Sequence, residues 1–128
     1  MFTLSLVIFA IAALGGVALA VLHFRAEGRE HPPTALALLH GVVAAVAVLL
    51  LLIGIGATAN GFAAGFSSLA IVALLLFVLA ALGGAYMFFG RHLRGEPLPT
   101  PVVVIHALVA VTGFVVLLAY VVGSQTGA

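Results

Sequence analysis

The chain has 128 residues, 66% of them hydrophobic and only 5% charged, with a formal net charge of +1. Its mean hydropathy of +1.46 lies far beyond that of a soluble domain and excludes one, pointing instead to an all-α integral membrane protein in a lipid bilayer. With no cysteine and no aspartate, disulfides, thiolate metal sites and a Ser–His–Asp triad are excluded, and no glycine-rich phosphate loop or nucleic-acid motif is present.

Taken in order, four apolar runs are each long enough to cross a hydrocarbon core of about 30 Å, which needs roughly 20 helical residues. They lie near 4–25, 34–57, 67–91 and 100–123. Ala18-Leu19-Ala20 in the first resembles a signal cleavage site, but no basic region precedes it, so the run is expected to remain as a span. The connections FRAEGREHPP, TANGFAAGFSS and RHLRGEPLP are short, which suits antiparallel neighbours. The expected fold is a single domain, residues 1–128, forming a four-helix up-and-down bundle.

Charge is confined to one side of this arrangement. Arg25, Arg29, Arg91 and Arg94, Glu27, Glu30 and Glu96, and all five histidines fall in the first and third connections or the helix turns beside them. The positive-inside rule makes that face cytoplasmic and puts both termini on the non-cytoplasmic side, as for a multi-pass protein of a bacterial-type inner (plasma) membrane.

The two halves repeat one another over 9–57 and 77–123. Phe9-x-x-Ala12-Ala13-Leu14-Gly15-Gly16 matches Phe77-x-x-Ala80-Ala81-Leu82-Gly83-Gly84. His23-Phe24-Arg25 then matches His92-Leu93-Arg94, Pro33-Thr34 matches Pro99-Thr100, and His40 matches His106. A two-span unit inserts the same way each time, so the copies are expected to be parallel and related by a twofold axis along the membrane normal. The glycine pairs read as small-residue faces for close helix approach. Thr100, before Pro101, reads as an N-cap with proline at the first helical position, and Thr34 as its equivalent. The histidines six residues on are then about 9 Å inside the helix start.

An ionisable residue within a span is costly and marks a functional site by default. Diagonal helices of a bundle place His40 and His106 across the core from each other, where two imidazoles suit the axial positions of a haem b iron. Gly41 and Ala107, with Ala37, Ala44, Ala47, Ala110 and Gly113, are expected to leave room for the macrocycle. Arg25, Arg91 and Arg94 are expected to meet its propionates. His23 and His92 read first as helix C-terminal cations favoured by the dipole, and otherwise as further ligands of a four-histidine copper or zinc site. His31 has no counterpart and reads as a loop residue.

The expected function is therefore electron transfer to or from quinone or a partner subunit, in general architecture resembling the four-helix bis-histidine membrane cytochromes. The alternative is a non-catalytic accessory or scaffold subunit of a larger respiratory or photosynthetic membrane complex, packing on partner subunits through its small residues. Either role makes the chain a component rather than a stand-alone enzyme. A transporter would call for carboxylates or broken helices at the midplane, and neither is seen.

Overall fold

A computed structural model describes residues 1–27, 30–63 and 68–126. Arg29, among the expected topology anchors, lies outside the described residues. The described chain is all helical: α1 (Phe2–Arg25), α2 (Thr34–Gly56), α3 (Leu69–Ala85) and α4 (Thr100–Thr126). Beyond Ala85, α3 continues as a π-helical turn, Tyr86–Arg91, and a short 3-10 turn, His92–Arg94. All four, counting α3 to Arg94, are long and apolar enough to span a membrane. Relative to the expected spans, α1 starts two residues earlier and α4 runs on through Ser124 and Gln125 to Thr126, since no proline stops either helix there.

Helix α1 packs chiefly on α2 and α3 chiefly on α4, with narrower contacts between α2 and α3 and between α1 and α4. One diagonal is bridged by Phe9 and Phe77, whose rings stack at 3.6 Å with planes 10° apart. Below them toward the termini, the core is sealed by Ala47, Leu51, Ala73 and Leu117, each 0% exposed. The Ser5 hydroxyl donates to the Ala47 carbonyl at 2.9 Å there, satisfying a polar group that lipid could not. The matching positions in the second half are Ala73, also buried, and Gly113, where an added Cβ would meet Leu76 and Phe77 at 3.3 Å.

The copies differ by one residue between the glycine pair and the next histidine: His92 lies eight positions after Gly84, His23 seven after Gly16. In a pure α-helix this insertion would turn His92 by about 100° relative to its counterpart. The π-helical turn holds one more residue per hydrogen-bonded loop and absorbs the insertion locally. Gly95, with φ of 69°, ends the segment in the left-handed region that glycine adopts without strain.

The stacked phenylalanines supply a test of packing. Phe77→Ala should lower stability by about 3 kcal/mol, the lower end for a buried aromatic, because lipid surroundings supply no hydrophobic drive between helices. Thermal unfolding in detergent measures it; an unchanged midpoint would show that the diagonal stack is not a core contact.

Candidate functional site

The structure brings His40 of α2 and His106 of α4 together, with ring centroids 6.2 Å apart and planes crossed at 77°. Each ring is held by the neighbouring odd-numbered helix. His40 donates its Nδ1–H to the Ala12 carbonyl at 2.9 Å, and His106 donates its Nδ1–H to the Ala80 carbonyl at 2.7 Å. A carbonyl can only accept, so each ring carries a proton on Nδ1, and its neutral form keeps the Nε2 lone pair for another partner. This is the tautomer a metal-bound histidine adopts when its other nitrogen is tied to the backbone.

The glycine pairs make these bonds reachable. In a helix the Ala12 carbonyl accepts from the amide of Gly16 and the Ala80 carbonyl from that of Gly84. A side chain at either glycine would lean back over the preceding turn and across that carbonyl. A Cβ at Gly16 would stand 3.1 Å from Cε1 of His40, and one at Gly84 3.3 Å from Cε1 of His106. Gly15 and Gly83 likewise face the histidine rings. The small-residue faces expected for close helix approach are thus also the seats of the imidazoles. The spacing carried the signal, since Ala12 and Ala80 stand four residues before Gly16 and Gly84, one helical hydrogen bond away.

The threonines are also reassigned. Neither capping expectation holds for Thr34: it is the first helical residue, Pro33 precedes it as the cap, and no side-chain cap bond forms. Thr100 likewise begins α4. Their hydroxyls cross to histidines of the other copy. Nε2 of His23 and the hydroxyl of Thr100 are hydrogen-bonded at 3.1 Å, and the hydroxyl of Thr34 and Nε2 of His92 at 2.9 Å. His23, 2% exposed, and His92, 9% exposed, close the charged end of the core. Phe88 stacks on His92 with planes 12° apart, and His31, exposed and outside the helices as expected of a loop residue, meets His92 edge-on. Among the described residues no three His, Cys, Asp or Glu side chains gather as a metal-binding group, so His23 and His92 do not join His40 and His106 in one site.

Between the Phe9–Phe77 stack and the His23–His92 layer, half-buried Gly16, Leu19, His40, Ala44, Gly84 and Ala110 are interleaved with buried Ala12, Ala80 and Val103. A groove of about 220 Å³ between α3 and α4 reaches His106, walled by Leu79, Ala80, Gly83, Val102 and Ile105. Gly41 and Ala107 are exposed, and an added Cβ at Gly41 meets nothing within 4 Å. They face outward, since one residue along a helix turns about 100° from the histidine, and so add no interior room. Ala37, Ala44 and Ala110 are half-buried, Ala47 and Gly113 buried.

Of the expected anion partners, Arg25 and Arg94 are exposed at the charged end. Arg91 is engaged: its Nη1 donates to Oε2 of Glu96 at 2.6 Å, while its buried Nε has no hydrogen-bond partner. Set against known protein families, curated proteins and solved structures, the chain matches none, so the site is read from its own residues.

The crossed threonine–histidine bonds are measurable. A double-mutant cycle of Thr34→Val with His92→Phe should give a coupling of about 0.6 kcal/mol, and one of Thr100→Val with His23→Phe, the more deeply buried histidine, up to about 1.7 kcal/mol. Coupling indistinguishable from zero in both cycles would mean these bonds do not tie the copies together.

Proposed function

We propose that the protein is a small b-type membrane cytochrome, an up-and-down four-helix bundle of two parallel two-helix repeats with one haem b held between His40 and His106. The observation that carries this reading is the pair of imidazoles at 6.2 Å, each with its Nδ1–H spent on a backbone carbonyl. An imidazole nitrogen lies about 2 Å from a metal it binds, so two rings on opposite sides of one ion have centroids roughly 6 Å apart. The small, half-buried residues beside the rings, Gly16, Ala44, Gly84 and Ala110, support room for a flat cofactor. Correspondence of the contacts supports the repeat: α1 to α2 and α3 to α4 use the same positions, and the Phe9–Phe77 and His40–His106 pairs cross the diagonals.

On this reading the haem supplies a reversible one-electron couple when bound. The chain's own residues set its surroundings. The Ala12 and Ala80 carbonyls, by accepting from Nδ1–H, raise the basicity of Nε2 and thereby the electron density it offers. The Phe9–Phe77 stack bars the site from the terminal half of the core. Arg25 and Arg94 are free to approach propionates at the charged face, and Arg91 has its buried Nε still to offer. Electrons are exchanged with quinone or a partner membrane subunit, since the described chain consists of spans and short connections with little soluble surface to dock a soluble carrier.

The protein is placed, in the same proposal, in a bacterial-type inner membrane with its arginine face cytoplasmic and both termini on the opposite side. Reporter fusions active only outside the cytoplasm should be active at either terminus and inactive after residue 30 or 96. The reverse pattern would invert the topology.

The visible spectrum decides the haem. Purified protein is expected to show a Soret band and dithionite-reducible b-type bands, and His40→Ala or His106→Ala should abolish the six-coordinate low-spin form. Bands that survive both substitutions would defeat the ligand assignment. A featureless spectrum after haem supplementation would defeat the cytochrome reading in favour of the accessory subunit, whose outward faces carry large apolar residues such as Leu14 and Leu82.

A further inference from the structure

Resting on the haem reading above, the geometry points to Gly16 and Gly84 as positioning residues that, with the Ala12 and Ala80 carbonyls, hold the two axial imidazole planes crossed. Three observations meet here. The planes stand at 77°. Each ring is pinned at Nδ1 by a carbonyl on the helix beside it, at 2.9 and 2.7 Å. Each is also backed at Cε1 by a glycine, where a Cβ would come to 3.1 or 3.3 Å. A ring held at one edge by a directional bond and at the next atom by a helix surface has lost its rotation about the bond to its own Cβ.

Twofold symmetry turns that local constraint into a property of the pair. If the axis runs along the membrane normal between the rings, a ring plane tilted from the axis is carried into one tilted equally the other way. The planes are parallel only if each contains the axis or lies square to it. Any intermediate tilt appears doubled in the pair, so the crossing of 77° follows from each carbonyl holding its ring at about half that angle. The same histidines on unconstrained rotamers would carry no such relation.

Crossing has an electronic consequence. The filled π orbital of each imidazole, perpendicular to its ring, raises the iron d orbital it overlaps. Parallel rings act on the same d orbital and split the pair, whereas crossed rings act on both and leave them nearly degenerate. The oxidised low-spin haem then has an unquenched orbital moment along its normal. A single, strongly anisotropic low-field resonance results in place of a three-line rhombic spectrum.

The test is low-temperature electron paramagnetic resonance of the oxidised, haem-loaded full-length protein, alongside its visible spectrum. The wild type is expected to give the strongly anisotropic signal. Gly16→Ala and Gly84→Ala should keep the bis-histidine visible bands and shift the resonance toward the rhombic form, most in the double variant, as each methyl displaces Cε1. A rhombic wild-type signal, or a resonance unmoved in the double variant with haem retained, overturns the inference while leaving the cytochrome reading intact. Absence of any low-spin haem defeats both. Should the variants lose haem, the wild-type signal decides alone.

Discussion

A polar side chain inside hydrocarbon has no water to turn to, so every nitrogen and oxygen there must find its partner within the protein. The rest of this molecule follows from that requirement applied to imidazole. A ring nitrogen in an apolar span needs an acceptor, and the backbone carbonyls of a neighbouring helix are already engaged and covered by side chains one turn further on. Removing the side chain uncovers the carbonyl for a second, bifurcated bond. Gly16 and Gly84 are therefore as much a part of the histidine sites as the histidines, although they contribute no functional group.

The same requirement explains why an irregular turn survives in α3. His92 is buried, and its Nε2 needs the hydroxyl of Thr34. An extra residue left in α-helical phase would have pointed the ring elsewhere and stranded both groups. The π-helical turn costs some hydrogen-bond geometry over Tyr86–Arg91 and returns the phase that the threonine requires. Arg91, at the end of that turn, is tied forward to Glu96 across Gly95, which anchors the segment where it leaves the helix. Stability and site geometry thus share their residues at the charged end, while Leu51, Leu117 and their neighbours at the terminal end serve packing alone.

Much of this was legible in the amino-acid order, and the parts that were not share a cause. Four spans, the segregation of charge and the matched histidines could be read because they depend on one-dimensional quantities: apolar run length, charge position and spacing. The cross-copy roles of Thr34 and Thr100 could not, because local rules see a threonine beside proline at a helix start and assign it to its own backbone. Only the neighbouring copy reveals a better acceptor or donor in His92 or His23. Gly41 misled in the opposite way: adjacency to His40 suggested a shared site, but adjacent helical positions face different directions. The glycine pairs spell close helix approach by local rules, while their distance of one hydrogen-bond step from Ala12 and Ala80 is what marks them as histidine seats.

The crossed threonine–histidine bonds and the two diagonal ring pairs share one form. Each of these contacts joins a position in one copy to a position that the other copy also possesses: His23 to Thr100 as His92 to Thr34, Phe9 to Phe77, His40 to His106. Two identical two-helix chains could form the entire set between them. The set of contacts is the one a symmetric pair of two-helix units would make, and the halves depart from it where their residues differ, as at Ser5 against Ala73 and at the lone His31.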